Sequence, residues 1–85
     1  MKSEIDIIDN VLRKIVIPAY DVVYDVKVDY YEHGHFFHVT YFANPDISNS
    51  EAGKIVNDTE TLYKMITGKS PIMVDFAKSE RKKNG

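Results

Sequence analysis

The sequence contains no cysteine, and this absence excludes several kinds of structure and chemistry at once. A chain without thiols forms no disulfide framework, offers no thiolate ligands for zinc and supplies no cysteine nucleophile. No apolar run approaches the roughly 20 residues that cross a membrane, and the spaced apolar residues near the N-terminus are unlike a secretory signal. We therefore expect a cytoplasmic protein that has no membrane segment and is held together by its own core.

The chain also has little net charge, formally -2 at pH 7. A general nucleic-acid binder needs a concentrated basic face to contact phosphates, and this chain has no such face, so we do not expect nucleic acid as its partner. The basic residues Arg81, Lys82 and Lys83 form a terminal charge run, and such runs are usually only solvated. No catalytic or cofactor motif is present, so we expect a non-enzymatic protein without a cofactor.

What the chain does contain is typical of a small folded domain. Its 85 residues are 44% hydrophobic and 28% charged, close to the average for globular proteins. A chain of this length has room for one core. We assign residues 1–77 to a single α+β domain and residues 78–85 to a polar, basic, flexible C-terminal tail.

The N-terminal segment predicts an amphipathic helix. Ser3 and Asp6 resemble a capping box, and we expect the helix to end near Val16 because Pro18 lacks an amide hydrogen. Its apolar residues recur at helical spacing: Ile5, Ile8, Val11, Leu12, Ile15 and Val16.

The next segment predicts a long β-hairpin. Apolar and polar residues alternate from Tyr20 to Tyr31, His33-Gly34 suits a two-residue turn, and a second strand follows from about His35 to Ala43. This turn pairs apolar residues on one face: Tyr30 with Phe37, Val28 with Val39, Val26 with Tyr41, and Tyr24 with Ala43. The other face pairs Tyr31 with Phe36, Asp29 with His38, Lys27 with Thr40, and Asp25 with Phe42. A three-residue turn would mix the two faces, so we reject it.

A second helix and a third strand complete the predicted elements. Ser48 and Glu51 form a capping box, and Gly68 suits a left-handed C-cap. Between them lies a regular apolar stripe: Ala52, Ile55, Val56, Thr59, Leu62, Tyr63 and Ile66. The alternation in residues 71–77 favours a short strand, with a helical turn or a cover over the second sheet face as alternatives.

The predicted order is α-β-β-α-β. We expect an antiparallel sheet built on the long β-hairpin, with two helices packed on one face. For the third strand we prefer the edge beside the first strand, antiparallel to it. The alternative is the edge beside the second strand, reached by a right-handed crossover.

Three histidines make up the feature that most resembles a metal site. His33, His35 and His38 fall in the turn and on opposite faces of the second strand, so their imidazoles do not converge on one ion. We therefore predict no bound metal. His38 lies opposite Asp29, and these two residues form a secondary surface pair.

Aromatic placement carries the functional hypothesis. Tyr31, Phe36 and Phe42, with Val23, are predicted on the face that the helices leave uncovered, and Tyr30 and Phe37 lie beside them at the hairpin tip. A strand over residues 20–31 would run ~40 Å, whereas the helices reach only ~22–28 Å, so we expect the tip to project as an arm. Strong sheet coiling or a C-terminal segment folded over this face are structural alternatives.

We therefore predict a protein-interaction module that self-associates or docks on a protein partner through the hairpin arm and the open sheet face. One alternative is single-stranded nucleic-acid binding, with Tyr31, Phe36 and Phe42 stacking on bases. Another is a small phage-type inhibitor or assembly factor, a viral protein in that case, suggested by small size and by frequent Ile, Lys, Asp, Asn and Tyr.

Overall fold

The structure, a computed structural model, describes residues 3–69 and 72–79. The predicted order of elements, α-β-β-α-β, is confirmed, and both helices pack on one face of a three-stranded sheet. The elements are α1 (Glu4–Ala19), β1 (Val23–Tyr31), β2 (Phe36–Ala43), α2 (Asn49–Thr67) and β3 (Ile72–Lys78). Residues 80–85, the greater part of the predicted basic tail of residues 78–85, lie outside the described residues, and Lys78 is the last residue of β3.

Helix α1 begins where the sequence predicts and ends later. The Ser3 side chain accepts a hydrogen bond from the Asp6 backbone N–H. The helix continues to Ala19 with Pro18 inside its last turn, so the predicted end at Val16 is wrong. A proline one residue from the end of the helix removes a single intrahelical hydrogen bond, the one that its N–H would donate to the Lys14 carbonyl, and this one loss does not stop the last turn. Ile15, placed on the buried stripe by its spacing, is 52% exposed.

The hairpin has the predicted register from Tyr31 opposite Phe36 to Asp25 opposite Phe42. Near the start of β1 the register shifts, Val23 lies opposite Ala43, and the predicted pairing of Tyr24 with Ala43 is wrong. A bulge places one extra residue on one strand, so the side chains before it change face.

The hairpin turn spans residues 32–35, two residues more than predicted, and keeps the same register because both turns are centred on His33-Gly34. The left-handed residue is His35, with φ 54°. Gly34 is needed for a different reason, because a Cβ at this position would overlap the Phe36 ring.

Strand β3 lies beside β2 and runs parallel to it, so its preferred placement beside β1 is wrong. Helix α2 follows β2 and returns the chain to the end of the sheet where β2 begins. A strand that starts there runs parallel to β2, as in other strand-helix-strand crossovers. The sheet is therefore mixed, with an antiparallel hairpin and one parallel strand.

Helix α2 has the predicted caps and the predicted buried stripe. Ser48 and Glu51 form a reciprocal capping box, and Gly68 adopts the left-handed conformation with its N–H donating to the Lys64 carbonyl. Ile55, Thr59 and Tyr63 form the buried line of the helix, with Ala52, Val56, Leu62 and Ile66 half-buried beside it. The other core residues come from α1, from the inner face of the sheet and from the loop before α2: Ile8, Leu12, Val16, Val23, Val26, Val28, Phe37, Val39, Tyr41, Ala43 and Ile47.

Candidate functional site

The open face is the sheet surface that points away from both helices. Strand pairing defines its members as Asp25, Lys27, Asp29 and Tyr31 of β1, Phe36, His38, Thr40 and Phe42 of β2, and Met73, Asp75 and Ala77 of β3. None of these residues is buried, whereas the inward-facing residues of β1 and β2 are buried from Val26 to Val28 and from Phe37 to Ala43, with Tyr30 at the hairpin end partly exposed. No element among the described residues lies over this face.

An aromatic cluster occupies the hairpin end of the open face. Tyr31 is 47% exposed and packs edge-on against Phe36, with ring centroids 5.2 Å apart. Its ring also lies 5.3 Å from the imidazole of His38. A hollow of about 520 Å³ adjoins this cluster, lined by Tyr30, Tyr31, Glu32, His33, Gly34 and Phe36. The cluster thus combines exposed aromatic area with an adjacent concave surface.

Two of the six predicted interface residues are not at the surface. Val23 is 3% exposed because the bulge turns it inward, and Phe37 is 5% exposed because it packs against Tyr63 of α2 at 5.7 Å. The prediction that these two residues face solvent is wrong. The open face does carry Tyr31, Phe36 and Phe42. Tyr30 is partly exposed beside Phe37, at 4.9 Å between ring centroids.

The expected mismatch between strand and helix length is also wrong. Strand β1 has nine residues rather than twelve, because the backbone turns at Tyr20, whose carbonyl accepts the Val23 N–H. Nine residues span ~30 Å, close to the ~28 Å of the 19-residue helix α2. The aromatic cluster is exposed because it faces away from the helices, and not because an arm extends beyond them.

His38 has a different partner from the one predicted. Its Nε2 atom lies 2.6 Å from Asp75 Oδ2 on β3, whereas Asp29 makes a 3.8 Å ion pair with Lys27. Asp29 and His38 remain neighbours in the ladder, but no hydrogen bond joins their side chains among the described residues. The predicted placement of β3 beside β1 put Asp75 and His38 on strands that are not neighbours, so this contact was not predicted. The alternation of residues 72–76 does put Asp75 on the open face, so the right strand order would have revealed it.

The three histidines do not converge. His33 and His35 lie in the turn, where His35 Nδ1 is 3.5 Å from the Tyr30 hydroxyl, and His38 is bonded to Asp75. Over residues 3–69 and 72–79, no three histidine or acidic side chains are grouped so as to hold a metal ion. That no metal binds stays a prediction.

Arg13 of α1 closes part of the free edge of β1, a contact that the sequence did not suggest. Its guanidinium lies 2.6 Å from Asp25 Oδ1, donates to the Val26 carbonyl at 2.8 Å and bonds Asp9 at 3.2 Å. Asp25 Oδ1 in turn accepts the Val26 N–H at 2.8 Å. Both backbone groups of Val26 that point away from β2 are therefore satisfied. The hydrogen bond from Arg13 lowers the pKa of Asp25 and, in return, the bond to Asp25 raises the pKa of Arg13.

One further polar contact joins the two helices. The Tyr20 hydroxyl hydrogen-bonds to the Asp58 carboxylate, and this bond raises the pKa of Tyr20. The pair borders a small groove of about 190 Å³ lined mainly by apolar side chains of α1 and α2. The contact links the end of α1 to the middle of α2, so we assign it a structural role and not a functional one.

In the part of the chain that the structure describes, no helix has the length and apolar character needed to cross a bilayer. Comparisons with models of protein families, with curated proteins and with solved structures found no match.

Proposed function

We propose that this chain is a non-enzymatic protein-interaction module that associates with a second copy of itself through the open face. The observation that carries the proposal is the exposed aromatic cluster of Tyr31 and Phe36, with Met73 beside it at 45% exposure. Aromatic and methionine side chains are enriched in interface cores and dominate binding energy when they are desolvated. A surface of this kind favours association over solvation.

The charges of the open face support a second copy as the partner. Lys27 lies beside Asp29 on β1, so the face carries both signs. In a two-fold contact the same patch meets itself, and a patch of mixed sign can place opposite charges together. The chain is also small, and a small domain gains stability from additional burial.

The non-enzymatic part of the proposal is supported by the surroundings of His38. Its imidazole is bonded to the Asp75 carboxylate, and no hydrogen bond joins it to a hydroxyl group among the described residues. A histidine-carboxylate pair activates a nucleophile only when the hydroxyl or thiol lies within hydrogen-bond reach of the imidazole.

Single-stranded nucleic acid is the alternative occupant of this face, because Tyr31, Phe36 and Phe42 share it. Against this alternative, the same face carries three aspartates, Asp25, Asp29 and Asp75, and among the described residues only one lysine, Lys27. Phosphates would be repelled by such a surface. Tight, salt-sensitive binding of a labelled oligonucleotide at low ionic strength would favour this alternative over self-association.

The proposal is tested by light scattering over a dilution series of the wild-type chain. We expect the average mass to rise above the 9.8 kDa of one chain as concentration increases. Phe36→Asp should move that rise to higher concentration, because a charge is costly in a dry interface, and should leave the helical circular dichroism intact. Tyr31→Asp serves as a second variant, since Tyr31 is more exposed than Phe36 and its replacement puts less strain on folding.

Met65→Asp is the matched control, because Met65 is 76% exposed and lies on α2, away from the open face. The proposal is wrong if the wild-type chain remains monomeric at the highest concentration. It is also wrong if both aromatic variants associate as strongly as Met65→Asp.

A further inference from the structure

We infer that β3 is a second contact surface, at which it pairs antiparallel with β3 of a second copy and extends the sheet from three strands to six. The inference goes beyond the proposed function because it concerns the edge of the sheet and a defined register, and not the open face.

Backbone geometry shows which groups of β3 point outward. The Ser79 N–H donates to the Ala43 carbonyl of β2 at 3.0 Å, so the backbone of Ser79 faces β2. Successive residues of a strand direct their backbone groups to opposite sides. The groups that point away from β2 therefore belong to Ile72, Val74, Phe76 and Lys78, and no hydrogen bond from another described residue reaches them. A free row of this kind is a template for another strand.

The side chains of β3 are also less covered than those of the other strands. Ile72, Val74 and Phe76 point to the helix side of the sheet and are only half-buried. Their ladder partners on β2, Phe37, Val39 and Tyr41, are at most 5% exposed. The helices therefore cover β1 and β2 and leave the outer strand partly open, so a strand added beside β3 would bury apolar area as well as backbone groups.

The sequence of β3 favours the two-fold register centred on Val74, which pairs all the residues from Ile72 to Phe76, whereas a register centred on Met73 pairs only those from Ile72 to Val74. With Val74 opposite Val74 of the second copy, Ile72 lies opposite Phe76 of the second copy and Met73 lies opposite its Asp75. Every inward pair is then apolar, and no like charges meet. The next register places Asp75 opposite Asp75 of the second copy and Ile72 opposite its Lys78, and directly opposed like charges are destabilising. β3 is thus self-complementary about Val74, which makes a second copy its natural occupant.

The other edge of the sheet is less suitable for strand addition. Arg13 and Asp25 already satisfy the outward groups of Val26. The outward groups left on β1 are those of Val28 and Tyr30, and a two-fold pairing between them places Asp29 opposite Asp29 of the second copy. Part of the β1 edge is thus already hydrogen-bonded, whereas the β3 edge has free backbone groups, and this difference supports association through β3.

The decisive experiment uses the sign of a charge at Met73. Opposite Asp75 of a second copy, Met73→Lys gains an ion pair and Met73→Asp gains a repulsion, and the two-fold axis doubles both effects. We expect dimer dissociation constants that differ by about tenfold, with Met73→Lys the tighter, and a difference that shrinks as salt is raised. Met65→Lys and Met65→Asp are the matched controls and should not differ from each other.

A cysteine at Val74 tests the register itself. The natural chain has no cysteine, so Val74→Cys introduces a single thiol. In the inferred register the two introduced cysteines lie opposite each other at ~5.5 Å between Cα atoms, within the range of a disulfide. Mild oxidation should give a disulfide-linked dimer at low protein concentration, whereas Met65→Cys should form one only through random collision.

The two proposals fail in different ways. Contact through the open face alone would weaken with Met73→Lys and with Met73→Asp, because either charge is buried there, and would give no preferential cross-link at Val74→Cys, which lies on the helix side of the sheet. Equal effects of the two variants, together with no preferential cross-link at Val74→Cys, would overturn the β3 pairing while leaving the proposed function in place. A normal charge effect at Met73 with no effect of Phe36→Asp or Tyr31→Asp would overturn the open face and leave the β3 pairing. A wild-type chain that is monomeric at all concentrations removes both.

Discussion

The most buried polar contact in the described residues is a short hydrogen-bond chain between β2 and α2. The Tyr41 hydroxyl lies 2.6 Å from Thr59 Oγ1, and Thr59 donates its own proton to the Ile55 carbonyl at 2.7 Å. Since that proton is already used, Tyr41 must donate to Thr59. Burial raises the pKa of Tyr41 to about 12, which keeps the hydroxyl protonated as the geometry requires.

We expect the two ends of this chain to respond differently to substitution. Thr59→Val leaves a buried tyrosine hydroxyl without an acceptor and should lower the free energy of unfolding by ~1–3 kcal/mol. Tyr41→Phe leaves Thr59 bonded to Ile55 and should cost less. Urea denaturation of both variants measures the difference. A larger loss for Tyr41→Phe than for Thr59→Val would contradict the assigned direction of the hydrogen bonds.

The contact between Arg13 and Asp25 makes a prediction about pH. Because the hydrogen bond from Arg13 lowers the pKa of Asp25 in the folded chain, Asp25 stabilises the fold above its unfolded pKa. That contribution is lost as pH falls through the lower, folded value. In Arg13→Met the pKa of Asp25 should rise, as measured by NMR titration of the carboxyl carbon. An unchanged titration would show that Arg13 does not hold this carboxylate.

At the scale of elements, two glycines with different surroundings test the hairpin turn. A Cβ at Gly34 would overlap the Phe36 ring, so Gly34→Ala must displace that ring and should destabilise the chain by ~1–3 kcal/mol. Gly53 is exposed within α2 with open space around its Cα, and Gly53→Ala should stabilise the chain by ~0.5–1 kcal/mol. Thermal or urea denaturation gives both values, and a neutral Gly34→Ala would contradict the close approach of Phe36 to the turn.

The elements themselves follow from short-range chemistry. The capping box of Ser48 and Glu51 and the left-handed Gly68 delimit α2 within the sequence, because each acts on backbone groups no more than four residues away. The end of α1 is less well determined by such signals. Pro18 removes one hydrogen bond and does not decide where the last turn stops.

At the scale of the whole molecule, the fold has two layers and therefore one covered sheet face. Helices α1 and α2 bury the inner sides of β1 and β2, leave β3 half-covered and do not reach the open face. The two proposed contacts correspond to these two uncovered regions. The dilution series with the charged variants of Phe36, Tyr31 and Met73 distinguishes them, because each substitution is predicted to act on a known part of the surface.

The sequence by itself determined which residues share a face. Parity about His33-Gly34 predicted the pairs from Asp25–Phe42 to Tyr31–Phe36, and helical spacing predicted the line of Ile55, Thr59 and Tyr63. These faces can be predicted from the sequence because the side-chain period of a strand or a helix is a property of the local backbone. Val23 escaped the same reasoning, since a bulge interrupts the period and turned this residue into the core.

Only the tertiary structure decided which elements are neighbours. Periodicity places Asp75 on one side of β3, but it does not say that β3 lies beside β2, where Asp75 meets His38. In the same way, nothing near Arg13 in the sequence indicates that its guanidinium closes the edge of β1. The physical reason is that the path of α2 across the sheet and the docking angle of α1 depend on packing between residues far apart in the chain. Local propensity and hydrophobic pattern depend on residues that are close in the sequence, so they do not determine which distant residues pack together.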